Sequence, residues 1–189
     1  MKVETFDVPG PLLFTPRVHR DERGYFLERW RADAHESAGL TARFVQDNLS
    51  RSRRGVLRGL HFQRPPHAQG KLVSVVRGRV LDVVVDLRRG SPTFLAHLKV
   101  VLDDEEHRQL WVPRGFAHGF LALAEVCDVL YKVDAHHAPE AEGGLRWDDP
   151  ALGIDWGLDD LPPGTRPLLS PRDAALPTVA DGLPEFSFS

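Results

Sequence analysis

The chain has 189 residues, 42% hydrophobic and 27% charged, which is ordinary for one globular domain with a buried core. Its formal net charge of −3 at pH 7 excludes the strongly basic surface typical of nucleic-acid-binding proteins. A single cysteine, Cys127, excludes an intrachain disulfide. The N-terminal segment lacks the apolar core of a signal peptide, and no run of ~20 apolar residues occurs, so the sequence predicts a cytoplasmic protein without a membrane span.

Short strand-like segments dominate the first two thirds of the chain. One helix is predicted at residues 31–40, and "RSRR" at 51–54 is interpreted as a solvated loop. Strands are predicted at residues 24–30, 43–48, 55–63, 71–76, 79–88, 95–102, 109–113, 115–123 and 127–133. About nine short strands separated by glycine and proline turns predict an all-β, double-sheet jelly roll with its core at about residues 24–135.

From about residue 138 to 189 the chain becomes rich in proline, glycine and aspartate. Trp147, Ile154, Trp156 and Leu158 interrupt this stretch, so we expect an irregular tail packed on the barrel, within a single domain spanning 1–189. Near its end, "SPRDAALP" predicts a short helix, with Ser170 as N-cap, Pro171 as first helical residue and Asp173 in the first turn.

Polar residues interrupt several predicted strands in phase with apolar neighbours. His118 alternates with Phe116 and Phe120, and Tyr131 and Lys71 alternate with valines on their own strands. A barrel interior that holds such groups is typical of a ligand cavity. Each residue also has a structural interpretation: a hydrogen-bonded core histidine, a packing tyrosine, and a lysine at a strand end with its amine in water.

Arg58 and His61 lie three residues apart, so strict alternation would place them on opposite faces of their strand. Gly59 lies between them and predicts a bulge that resets the phase. With the bulge, both side chains face one cavity.

The cluster predicts proton chemistry more readily than a metal centre. "HFQ" supplies His61 and Gln63 rather than a His-x-His pair, and His118 would be a distant third ligand. A histidine can take a proton near neutral pH, a tyrosine can return one, and lysine and arginine can stabilise an oxyanion. This set suits epimerisation or isomerisation next to a carbonyl, and its cations suit a substrate carrying a diphosphate.

Several segments, in order from about residue 20 to 175, resemble the dTDP-4-dehydrorhamnose 3,5-epimerase family. They are "DERGYFLE", "FVQDNLSRS", "GVLRGLHFQRPPHAQGKLV", "GRVLDVVVDLRRGSPTF", "LWVPRGFAHGFLAL" and "LYKV". The resemblance implies a cupin-like jelly roll, a homodimer, and no metal or cofactor. It also implies a dTDP-4-dehydro-6-deoxy-glucose substrate, inverted at sugar carbons 3 and 5.

The same resemblance implies a role for each matching residue. His61 would be the base, Asp173 the acid that orients it, and Tyr131 the proton donor on the other face. Lys71 and Arg58 would stabilise the enolate oxygen and bind phosphate. The resemblance also implies substrate contacts. His118 would line the site, and Glu142 and Arg172 would be outer substrate contacts. The nucleotide would be held, partly from the neighbouring subunit, by Arg23, Glu28, Gln46 and Asn48.

The chain departs from the family at "HHAP", where two tyrosines often precede the proline. His136 and His137 stand there instead, which leaves the shape of the sugar pocket open. A relative that inverts only carbon 3 or carbon 5 therefore remains an alternative, as do a metal-dependent cupin and a non-catalytic carbohydrate-binding sandwich.

Overall fold

The structure is a computed structural model that describes residues 1–162, 164–183 and 186–187. Its helices are α1 (Ala32–Ser37) and α2 (Pro171–Ala174), with 3₁₀ turns at Pro139–Ala141, Leu158–Asp160 and Val179–Asp181. The strands are β1 (Lys2–Thr5), β2 (Leu12–Thr15), β3 (Val18–Asp21), β4 (Gly24–Leu27), β5 (Gln46–Arg53), β6 (Leu57–Gln63), β7 (Lys71–Arg77), β8 (Arg79–Asp86), β9 (Arg88–Arg89), β10 (His97–Asp103), β11 (Gln109–Val112), β12 (Phe116–Ala122), β13 (Val126–Val133), β14 (Glu142–Gly144) and β15 (Phe186–Ser187).

Two antiparallel sheets form the body of the molecule. One has the order β1-β2-β11-β7-β13-β5 and the other β10-β8-β12-β6-β14. A core of valines, leucines and phenylalanines from both sheets, including Val73, Val84, Leu110 and Phe120, lies between them. This arrangement confirms the predicted all-β, double-sheet jelly roll.

The tail packs against the outer face of the five-stranded sheet. Leu57, Leu60 and Val83 of that sheet share a buried cluster with Leu145 and Trp156 of the tail. The other apolar tail residues singled out in the sequence, Trp147, Ile154 and Leu158, pack against the same cluster. The prediction of a tail that covers the barrel is therefore confirmed.

Several predicted boundaries were wrong. The sheets begin before residue 24, because β1 and β2 join the six-stranded sheet, whereas the segment at 24–30 shortens to β4, which pairs with β3 in a separate hairpin. The segment at 51–54 is not a loop throughout, since β5 continues to Arg53 with its arginines on the outer side. The tail also supplies β14 to the five-stranded sheet.

The bulge predicted at Gly59 is present and positions the site. His118 pairs with His61 and Phe120 with Arg58, so β6 holds one residue more than β12 over this stretch. Gly59 has φ +126°, and a Cβ there would lie 2.5 Å from Gly119 Cα. The extra residue lets Leu57 and Leu60 face the tail while Arg58 and His61 face the cavity.

We expect Gly59→Ala to lower the free energy of unfolding by about 2 kcal/mol or more, because positive-φ strain and backbone overlap combine. Gly24→Ala is the matched control, since Gly24 has φ +128° with no heavy atom within 4 Å of its ideal Cβ. Urea unfolding of both variants measures the difference. Equal destabilisation of the two variants would show that the close approach of β12 to Gly59 adds nothing to the cost of Gly59→Ala.

Candidate active site

A cavity of about 260 Å³ opens between the two sheets, lined by Ser50, Arg58, His61, Lys71, His118, Gly119, Phe120, Tyr131, Ser170, Arg172 and Asp173. A second lobe of about 330 Å³ shares His61, Lys71, Tyr131 and Arg172 with it and adds Gln46, Asn48, His137 and Glu142. All but two of the twelve predicted site residues line one or both lobes.

His61 and Asp173 form a hydrogen-bonded pair at the first lobe. The imidazole Nε2 lies 2.6 Å from the Asp173 Oδ1, across 112 positions of sequence. Ser170 caps α2 as predicted by accepting a hydrogen bond from the Asp173 backbone N–H at 3.0 Å. Burial favours a higher pKa for the Asp173 carboxyl, but the hydrogen bonds from His61 and at Ser170 and the charge of Arg172 lower its pKa overall. Asp173 thus stays ionised and fixes the orientation of His61.

A second histidine–carboxylate pair lies deeper in the cavity. His118 Nε2 is 2.9 Å from Asp82 Oδ2, and both side chains are almost fully buried. Asp82 was missed in the sequence, although "VLDVVVD" on a buried strand places it in phase with Val80 and Val84, which face the core. An acidic side chain that faces the core needs a buried partner. This inward-facing position is the signal that could have revealed Asp82.

Lys71 and Tyr131 come from the six-stranded sheet, opposite the strands that carry His61 and His118. Burial lowers the pKa of Lys71 to about 8, against the opposing influence of the carboxylates of Asp82 and Glu142. Burial raises the pKa of the Tyr131 hydroxyl, which Arg58 offsets in part. The cavity therefore holds a tyrosine that keeps its proton and a lysine whose charge is sensitive to mildly alkaline pH.

Arg58 is positioned by β5, where its guanidinium donates to Ser52 Oγ at 3.0 Å and to the Arg51 carbonyl at 3.1 Å. Glu142 accepts from Arg172 at 2.6 Å, and Gln46 donates to Asn48 Oδ1 at 2.8 Å. These contacts hold the polar side chains around both lobes in place.

The structure does not bring Arg23 and Glu28 to either lobe within one chain. Arg23 pairs with Asp21 at the tip of the β3–β4 hairpin, and Glu28 pairs with Arg31 at 3.4 Å near α1. Tyr25 and Phe26 between them are 52% and 72% exposed, which is high for aromatic side chains. A role for Arg23 and Glu28 at the cavity thus requires a second chain.

Cys127 is fully buried, and its thiol lies 3.1 Å from the Arg79 carbonyl, as expected for a small core residue. Among residues 1–162, 164–183 and 186–187, no group of three or more histidine, cysteine or acidic residues is arranged to hold a metal ion. Over the same residues, no helix is both long enough and apolar enough to cross a bilayer.

Comparison with known proteins decides the family. The family model described as dTDP-4-dehydrorhamnose 3,5-epimerase matches residues 5–181. The chain belongs to the dTDP-4-dehydrorhamnose 3,5-epimerase family. The resemblance seen in the sequence is thereby confirmed.

Individual members of this epimerase family align over nearly the whole chain. The dTDP-4-dehydrorhamnose 3,5-epimerase of Pseudomonas aeruginosa is 50% identical over 96% of this chain and 97% of its own length. The solved Legionella pneumophila epimerase, in complex with dTDP-4-keto-L-rhamnose, has a TM-score of 0.90 at 44% identity and 99% coverage of both chains. A 3'-monoepimerase from Streptomyces bikiniensis, in complex with dTDP-quinovose, has a TM-score of 0.84 at 36% identity, covering 93% of this chain and 86% of its own.

Proposed function

We propose that the protein is an isomerase that epimerises dTDP-4-dehydro-6-deoxy-D-glucose at carbons 3 and 5 to give dTDP-4-dehydro-L-rhamnose, without a metal or cofactor. One observation carries the proposal. His61 and Tyr131 line one cavity from opposite sheets, with Asp173 of α2 paired to His61 and Lys71 in the same cavity. A base and an acid on opposite sides of a sugar ring are what inversion of a carbon centre requires.

Carbons 3 and 5 both flank the keto group at carbon 4, so one oxyanion site can serve both inversions. His61 takes the proton from the carbon, and the C–H electron pair moves to form an enolate on the keto oxygen. Lys71 and Arg58 stabilise that negative charge, while Asp173 stabilises the imidazolium. Tyr131 then gives a proton to the opposite face, and exchange with solvent restores both groups.

The remaining residues hold the substrate. His118, kept in place by Asp82, lines the sugar end of the cavity, and Arg172 and Glu142 lie at its outer part. Gln46 and Asn48 in the second lobe are proposed nucleotide contacts. We further propose a homodimer in which Arg23 and Glu28 of one chain reach the nucleotide in the other, which their exposed hairpin and neighbouring aromatics support.

A mono-epimerase acting on a related dTDP-deoxysugar is the second candidate. It is favoured by the imidazoles of His136 and His137 at the position of the usual aromatic pair, and by the match to a 3'-monoepimerase. The presence of Tyr131 favours the double epimerase. A single-domain organisation and a cytoplasmic location stay predictions.

Incubation with dTDP-4-dehydro-6-deoxy-D-glucose followed by NMR assignment of the product tests the proposal. We expect inverted configuration at both carbons 3 and 5. Inversion at one carbon only would support the mono-epimerase, and unchanged configuration at both would refute an epimerase acting on this substrate.

The charge on Lys71 predicts an alkaline limit to activity. Since its pKa is about 8, the ammonium is present below that pH and is lost above it, so kcat/KM should fall as pH rises through about 8. Tyr131 retains its proton there, because its pKa is raised. A pH–rate profile measures the limit. Lys71→Arg, whose charge persists, should move the limit upward even if its rate is lower, and an unchanged limit in that variant would assign it to another group.

A further inference from the structure

His137 lies where the last strands of the two sheets approach each other. β5 ends the six-stranded sheet and β14 ends the five-stranded sheet, with the second lobe of the cavity between them. The His137 backbone N–H donates to Gln46 Oε1 of β5 at 3.2 Å, and its imidazole Nε2 lies 3.0 Å from Glu142 Oε1 of β14. A single residue therefore connects both sheets beside the cavity.

The loop that carries His137 is held on both sides by Gln63, a buried residue of β6. The Gln63 amide donates to the His136 carbonyl at 3.2 Å and accepts from the Ala138 N–H at 2.8 Å. With the Gln46 contact, three consecutive residues of the loop are fixed to the sheets. The backbone that carries the His137 imidazole is thus held in place by both sheets.

The Glu142 carboxylate is held between the side chains of Arg172 and His137. Arg172 contacts one carboxylate oxygen at 2.6 Å and His137 contacts the other. Burial favours a higher pKa for the Glu142 carboxyl, but these two contacts lower its pKa overall. An ionised carboxylate can only accept hydrogen bonds, so His137 Nε2 carries the hydrogen in this contact.

We propose that His137 is a positioning residue that clamps Glu142 against Arg172 at the open edge of the cavity, and that the hydrogen bond it donates to Glu142 tightens binding of the nucleotide diphosphate. The inference rests on the proposed function. The donated hydrogen bond partly offsets the negative charge of Glu142, which otherwise opposes an anionic ligand in the same lobe. It also holds the other Glu142 oxygen against Arg172, which adjoins Asp173 of the catalytic pair.

The other polar or charged groups around this lobe come from separate elements: His61 of β6, Lys71 of β7, Tyr131 of β13 and Arg172 of α2. A test must therefore separate the contribution of His137 from theirs. Comparison of variants at one position and one pH does so, because the other groups remain in every protein compared.

The experiment measures the Kd of dTDP by calorimetry and the KM and kcat of the nucleotide sugar at one fixed pH. We expect His137→Ala to bind dTDP about 2- to 5-fold more weakly than wild type, the effect of one partly exposed polar contact, with KM affected more than kcat. His137→Gln keeps a neutral donor that can reach Glu142, so it should restore most of the affinity. His67→Ala is the matched control, since His67 is exposed, lines neither lobe and also contacts the Gln63 amide through its carbonyl.

A His137→Ala protein with the same Kd and KM as wild type would overturn the inference while leaving the proposed function intact. A wild-type protein that binds dTDP but does not epimerise the sugar would overturn the proposed function instead. Weaker binding in His137→Ala, but not in His137→Gln or His67→Ala, supports the clamp.

Discussion

His61→Ala is expected to abolish exchange of the hydrogens on carbons 3 and 5 with solvent, with kcat/KM lowered by about 10²- to 10⁴-fold. The reason is that His61 carries the base function. Its partner Asp173, whose carboxylate lies 2.6 Å from the His61 imidazole, cannot reach the sugar in the same geometry. Exchange is measured by NMR in heavy water and the rate by product formation.

His61→Asn separates loss of the base from loss of structure, because it retains a polar side chain that can contact Asp173. Thermal unfolding of both variants checks that they fold. His67→Ala serves as the matched histidine control, because His67 is exposed and lines neither lobe, and it should exchange both hydrogens at rates close to wild type. Near-normal exchange in His61→Asn would remove His61 as the base and direct attention to His118, which has its own carboxylate partner in Asp82.

Tyr131→Phe should separate the two halves of the reaction. The ring is retained and continues to pack against the core, while the hydroxyl that donates the second proton is lost. We expect net inversion to fall by about 10²- to 10³-fold, within the range for loss of a general acid. The rate at which the first hydrogen is removed should fall much less, since His61 can return a deuteron from solvent to the same face.

The two rates are obtained from one experiment by following deuterium in recovered substrate and in product. Substrate that gains deuterium without inversion is the expected signature of Tyr131→Phe. If exchange and inversion fell by the same factor, Tyr131 would act before or during proton removal, and the assignment of separate acid and base would be contradicted.

The sequence was most informative where a polar residue breaks a strand pattern. The alternation on β12 and β13 placed His118 and Tyr131 inside, and Gly59 indicated the bulge that turns both Arg58 and His61 toward the cavity. These features are local, because strand phase depends on neighbouring residues. His61 and Asp173 are 112 positions apart in the sequence, and their pairing was expected only from the family resemblance.

Features set by distant contacts were not predicted. β2 joins a sheet through pairing with β11, about 100 residues later, and β1 pairs in turn with β2, which no local pattern indicates. Asp82 was overlooked because its partner, His118, lies on another strand. The contacts of His137 with Gln46 and Glu142 depend on the edge strands β5 and β14, which meet only in the fold.

Proton exchange in heavy water by chelator-treated wild-type protein tests the central claim most directly. The account predicts deuterium at both carbon 3 and carbon 5 of the keto-sugar, at a rate that chelator does not change. Exchange at neither carbon, or exchange that chelator abolishes and added metal ion restores, would contradict it.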